Sequence, residues 1–508
     1  MDAMRHVRGN GFWEEGWRDV NDALHFQQRR EGEADRVALI ALERELRPRT
    51  SDDHFEAFVL GEPWRHWHPS GRDKSSTRCV GLLARAVGKR LVREGANIGP
   101  YLARVTSRSG QNSAAGFAFG LALAVGDLDE LWRQAYRALE AHPSGERNPA
   151  VFDGLLQGAR RRDPDWVSAK LDSVVKDTLL GPHLVELQTA VPLDETAVAR
   201  FSSALAEGTI APDRFALLMM GGVTQPISGP ALAGLLRQLF AKEGGALPAL
   251  QVLHMRMYGD RSDGRDVDDA LIKLGRDLLA DPIIYTEKIT RQDHGIDVIA
   301  KVVLRGKGGE EAAGRVSRAM LAAAREMPHS FPDVGQICAT LMRLHPRVVL
   351  EEIVAESDND RLIGRFFGDW RRNDDDFEPG EVTIDSEVLF DWVREDPTER
   401  AAKLAHFIPY STKHPDGASL DWAPMAMELL ALSPDPVAVL RTYEHRFFTG
   451  GGSGPLSLRF VRRRPLLSAM ADHEDAAVRA WAVEASERLE ANIVRWDERD
   501  AADNSLFE

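Results

Sequence analysis

The sequence predicts an all-α protein built as an α-solenoid, a stack of antiparallel helix pairs. Three observations carry that reading. Apolar residues recur at helical spacing from end to end. Asp, Pro and Gly stand where the stripes begin and end, and sustained alternation of period two is scarce. Composition agrees, with 43% hydrophobic residues, only 7% aromatic, and Ala and Leu dominating the apolar set. Sheets draw instead on Val, Ile, Thr and aromatics.

The stripes can be followed in order. Val80, Leu83, Val87 and Leu91 form the first, and Leu128, Leu131, Trp132, Ala135, Tyr136 and Leu139 the next. Leu232, Leu235, Leu236, Leu239 and Phe240 follow, then Val267, Leu271, Leu274 and Leu278. The last is Val478, Trp481, Ala482, Ala485, Leu489 and Ile493. Each fits one face of an amphipathic helix. Asp163-Pro164-Asp165, Pro212-Asp213 and Pro434-Asp435-Pro436 read as helix starts, because Asp supplies a cap oxygen and Pro tolerates the first turn. Gly95, Gly208 and Gly244 read as helix ends, where a left-handed residue is cheapest. Pro282–Ile289 is the best strand candidate.

Helices of roughly 12–18 residues joined by short turns over hundreds of residues point to helix-pair repeats of degenerate period. Polar breaks at Asp260–Asp269, Arg371–Gly380, Ser411–Ser419 and Thr449–Ser457 read as projecting loops. The expected organisation is N-terminal helices with a Trp-rich loop over 1–70, helical repeats over 71–290 and 291–495, and a frayed acidic tail over 496–508.

The 79 acidic and 64 basic residues give a net charge of −15, which disfavours generic binding to nucleic acid but leaves room for a local basic groove. Two cysteines, Cys79 and Cys338, make neither a disulfide framework nor a cysteine-built zinc site. The N-terminus lacks the apolar core of a signal peptide, and no apolar run reaches membrane-spanning length. A cytoplasmic location with no membrane partner is expected. Helical pattern begins almost at once, as in one module of a larger protein.

Short motifs weigh against chemistry. Gly450–Gly454 is followed by Pro455 and no Lys, so it reads as an inter-helix turn rather than a phosphate loop. Gly306-Lys307-Gly308-Gly309 fails the same test. Ser173-Val174-Val175-Lys176 and Ser357-Asp358-Asn359 match two motifs of penicillin-binding enzymes, but the third motif and the sheet are missing. His66-Trp67-His68 offers two imidazoles and no third ligand at a diagnostic distance, so a packed Trp-rich loop is the better reading. The acidic clusters Asp260, Asp263, Asp266, Asp268, Asp269 and Asp374, Asp375, Asp376, Glu378 lack the calcium-loop spacing and read as solvated loops. Arg160–Arg162 and Arg459, Arg462, Arg463 and Arg464 beside Phe460 are the basic patches. In a net-acidic stack, internal ion pairs are their first expectation.

His473-Glu474-Asp475-Ala476-Ala477-Val478-Arg479-Ala480-Trp481-Ala482, continuing to Leu489, resembles the second half of a HEAT repeat. The resemblance implies that Asp475 and Arg479 bond across neighbouring turns and that Val478 and Trp481 face the core. The run from Phe447 through Gly450–Gly454 to Arg463-Arg464-Pro465-Leu466-Leu467 resembles the helical-repeat ends of large bacterial antiviral defence proteins. That resemblance implies a sensor or scaffold portion.

The function expected is therefore a non-catalytic binding or scaffolding solenoid, with no cofactor and no metal, that holds a protein partner or another module of a larger assembly. Phe447, Phe448, Arg462, Arg463 and Arg464 are its candidate partner contacts, because aromatic and Arg side chains dominate such interfaces. Asp475, Arg479 and Trp481 are its candidate repeat-turn residues. The alternatives are a nucleic-acid binder using a basic groove, and a metal hydrolase built around His66 or His68.

Overall fold

The computed structural model describes residues 12–27, 33–61, 76–107, 113–220, 222–286, 289, 293–327, 331, 334–357, 362–363, 366–367, 385–415, 419–448 and 456–505. These are almost entirely helical and form two compact units, Met1–Pro248 and Ala249–Glu508. His66–His68, Arg371–Gly380, Asn359 and residues 449–455 lie outside the described residues.

In the first unit the helices are α1 (Glu14–Gln27), α2 (Glu33–Leu46), α3 (Ser51–Phe55), α4 (Ser76–Arg93), α5 (Gly99–Val105) and α6 (Ala114–Ala124). They continue as α7 (Leu128–Glu140), α8 (Ala150–Arg160), α9 (Pro164–Val174), α10 (Leu184–Thr189), α11 (Glu195–Glu207) and α12 (Gly229–Phe240). Their ends follow the side chains available. The Asp163 carboxylate accepts from the Trp166 N–H at 2.9 Å with Pro164 in the first turn of α9, and Asp127 and Asp194 cap α7 and α11 in the same way. Gly208 ends α11 at φ 74°, a left-handed conformation that a side chain would strain.

Packing alternates. Helix α4 packs on α6, α6 on α8, and α8 on α10, while α5 packs on α7. That is the layering of helix-pair repeats, in which every second helix shares a layer. The centre of this layer is α6, Ala-Ala-Gly-Phe-Ala-Phe-Gly-Leu-Ala-Leu-Ala, most of which is buried. Glycines set its crossings. A Cβ at Gly120 would lie 2.1 Å from the Arg85 carbonyl oxygen, and one at Gly154 would lie 1.9 Å from that of Ala115. The three backbones therefore approach more closely than any side chain allows.

The second unit contains all but the first three residues of α13 (Ala246–Ser262), then α14 (Asp269–Leu279), α15 (Asp293–Val303), α16 (Gly309–Glu326), α17 (Gly335–Leu344), α18 (Pro346–Val349), α19 (Ser386–Glu395) and α20 (Pro397–Ala405). A two-stranded hairpin follows, β1 (Ser411–Lys413) antiparallel to β2 (Leu420–Trp422), with Thr412 opposite Asp421. Then come α21 (Pro424–Leu432), α22 (Pro436–Phe447), α23 (Leu456–Val461), α24 (Arg464–Ala471) and α25 (Ala476–Ser505). Alternate packing recurs between α15 and α17, α16 and α18, α19 and α21, and α20 and α22. Cys338 is buried within α17.

Four expectations need correcting. Pro282–Tyr285 is a single 3-10 turn capped by Asp281, not part of a strand, because Pro282 opens a helical turn more readily than a strand. The strands lie instead in and beside the segment read as a loop at 411–419. Asp260 is not solvated. It is buried at the end of α13, between Arg256 at 2.8 Å and Arg265 at 3.0 Å. The stretch after Trp496 continues α25 as far as Ser505. Among the described residues no helix is long and apolar enough to cross a membrane.

Candidate functional site

The C-terminal candidates face inward more than outward. Phe447 is buried at the end of α22, against the rings of Tyr410 and Phe448. Arg463 is also buried. It donates to the Phe447 carbonyl and lies over the Phe447 and Phe460 rings. Arg464 forms a two-pronged pair with Glu490 of α25 at 2.7 and 2.6 Å. That pairing holds the Glu490 carboxyl below its usual range. Phe448 is half-buried beneath the Arg488 guanidinium, and Arg462 is half-buried with its carbonyl accepting from Leu420 of β2. In these positions the residues tie α22, the hairpin and α25 together.

The repeat turn is built differently in detail from its expectation. The Asp475 carboxylate accepts from the Ala477 N–H at 2.7 Å, so it caps the start of α25. Arg479 instead donates to the carbonyls of His473 and Glu474, at 2.7 and 2.8 Å, which ties down the turn's backbone. Trp481 is buried, and its indole N–H donates to Glu444 of α22.

A second group of arginines behaves otherwise. The first unit contains an open cleft of roughly 480 Å³ lined by Phe119, Gln157, Arg160, Arg161, Pro164 and Ala190. Helical spacing places Gln157, Arg160 and Arg161 together, at the C-terminal end of α8. Helix α6 supplies Phe119, and the end of α10 supplies Ala190. The Arg85 guanidinium of α4 lies over the Phe119 ring, 3.6 Å from its centre, and that of Arg161 lies 5.2 Å from the same centre. Among the described residues, none of the Arg85, Arg160 or Arg161 guanidiniums has a hydrogen-bond or carboxylate partner, and the Arg85 Nε is buried. Burial and the charge of Arg161 hold the Arg85 pKa below its ordinary value. Arg162, the third of the expected basic triplet, is structural, donating to the carbonyls of Ala122 and Val125 at the end of α6, both at 2.6 Å.

One turn before Gln157, Asp153 carries a different perturbation. Burial and the neighbouring Glu186 carboxylate push its pKa up to about 7, and its Oδ1 has no hydrogen-bond partner. Glu186 itself pairs with Arg214 at 2.9 Å. Burial lowers the pKa of nearby His183. Arg85, Phe119, Asp153 and Gln157 belong to none of the motifs or candidate contacts expected from the sequence. The i, i+4, i+7 and i+8 spacing of Asp153, Gln157, Arg160 and Arg161 was the available signal.

The short motifs fall apart in space or into local structure. Ser173 donates to the Lys170 carbonyl and Lys176 pairs with Glu207, while Ser357 donates to the Ile353 carbonyl. Among the described residues no three His, Cys, Asp or Glu side chains gather as a metal ion would require. No protein-family model and no curated protein matches the chain.

Proposed function

We propose that this chain is a non-catalytic binding or scaffolding protein, HEAT-like in its stacking, that engages a protein partner. The observation that carries the reading is the alternate packing of helices within each unit. Layers of this kind present long rows of side chains from successive helices, which suits an extended polypeptide ligand better than a small substrate. The capped turn before α25, with Trp481 buried behind it, supports the HEAT-like assignment of the C-terminal repeat. A role as sensor or scaffold in bacterial antiviral defence rests on the resemblance of the segment from Phe447 to Leu467. A protein partner is favoured over nucleic acid by the net charge of −15 and by the internal use of Arg162, Arg463 and Arg464.

Cross-linking the tagged full chain in its native cells, then rebuilding the complex from purified components, tests the proposal. The expected result is a stoichiometric complex whose cross-links fall on one face of consecutive helices. Cross-links scattered over all faces, or no complex from purified components, would reject it.

A further inference from the structure

Arginines in this acidic chain are commonly neutralised: Arg200 pairs with Asp172 at 2.7 Å, Arg400 with Glu395 at 2.9 Å, and Arg464 with Glu490 at 2.6 Å. Arg85, Arg160 and Arg161 depart from that pattern, and all three belong to one place. Two of them line the cleft, and the third lies on the Phe119 ring that forms part of its wall. Clustering like charges raises the free energy of the empty protein. The C-terminal end of α8 offsets part of this through its partial negative charge, and the Asp163 carboxylate just beyond it accepts from the Trp166 N–H rather than from one of these guanidiniums. The cluster is therefore poised for an anion.

We propose that this cleft binds a small phosphomonoester, with Arg160 and Arg161 gripping the phosphate and Arg85 adding charge from beside Phe119. A phosphate dianion balances the three cations better than a carboxylate does, and its oxygens accept from guanidinium forks two at a time. The cleft, at roughly 480 Å³, falls in the size range of small-molecule sites and is much larger than a bare phosphate needs. Pro164 and Ala190 offer an apolar wall for the body of the ligand, and the Gln157 amide a polar contact beside it. This site is independent of the protein partner proposed above, so either can fail without the other.

Calorimetric titration of the full chain with phenyl phosphate, inorganic phosphate and benzoate tests it, since benzoate keeps the ring and replaces the phosphate by a carboxylate. Phenyl phosphate should bind saturably, inorganic phosphate more weakly, and benzoate at least tenfold more weakly than phenyl phosphate. Arg161→Gln and Arg160→Gln should each lower phenyl phosphate affinity about tenfold. Arg90→Gln, which removes a guanidinium paired with Glu94 elsewhere on α4, should leave it unchanged. Because Arg161 is exposed and has no hydrogen-bond or carboxylate partner among the described residues, losing its contact with the Phe119 ring should leave unliganded Arg161→Gln folded, with a melting point close to the parent's, which separates lost binding from lost folding. Absence of saturable phenyl phosphate binding overturns the proposal. So does equal binding of benzoate, or unchanged affinity in the Arg160→Gln, Arg161→Gln double variant.

Discussion

Asp153 holds its proton to about pH 7 in the folded chain because burial and Glu186 both oppose its ionisation. The unfolded chain releases that proton near the ordinary carboxylic value of about 3.9. Between those limits the folded state binds more protons, so this group's contribution to stability is full below about pH 4 and falls as pH rises toward 7. A displacement of this size corresponds to roughly 4 kcal/mol at most. Asp153→Asn removes the charge and should stabilise the protein at pH 8 by on the order of 1–3 kcal/mol, with little effect at pH 4. Urea denaturation at the two pH values checks this, and equal effects at both would refute it. Trp481 is the opposite kind of residue, large, buried and anchored by its N–H to Glu444. Truncating it to Ala should cost about 3–5 kcal/mol in thermal or chemical unfolding.

At the level of elements, α6 shows what glycine does in this fold. With Cβ positions at Gly120 and Gly154 already occupied by neighbouring carbonyl oxygens, α4, α6 and α8 cannot separate or slide without losing contact. Gly154→Ala should therefore cost roughly 1–3 kcal/mol, measured as a lowered unfolding midpoint, although Ala is the better helix former. An unchanged midpoint would mean that the layer yields.

Helix α6 also marks the limit of what the sequence discloses. The stripes of α7, α12, α14 and α25 were legible because one face is buried and the other is wet. In α25, all six predicted apolar positions from Val478 to Ile493 are buried. The first stripe fits its helix less well, since Leu83 is 38% exposed. Buried around most of its circumference, α6 has no wet face to set a period. The hairpin at Ser411–Lys413 and Leu420–Trp422 escaped because three residues are too few to display alternation. The cleft escaped for another reason. Its residues come from separate helices, and whether an arginine has a carboxylate beside it depends on packing, which local spacing does not encode.

At the scale of the whole chain, helices whose main contacts among the described residues are with near neighbours in sequence should respond locally to damage. Hydrogen exchange on Trp481→Ala should show faster opening of α22 and α25, with protection in α4, α6 and α8 unchanged. Uniform loss of protection along the chain would instead indicate one cooperative globule. The buried thiol of Cys338 gives the second unit its own clock for such openings. A bulky thiol reagent cannot reach it in the closed fold, so in a Cys79→Ser background each modified molecule records one excursion of α17 out of its packed environment. Labelling rates across a denaturant series would then separate the small openings that merely admit reagent from the large ones that dismantle the unit, with no foreign probe installed.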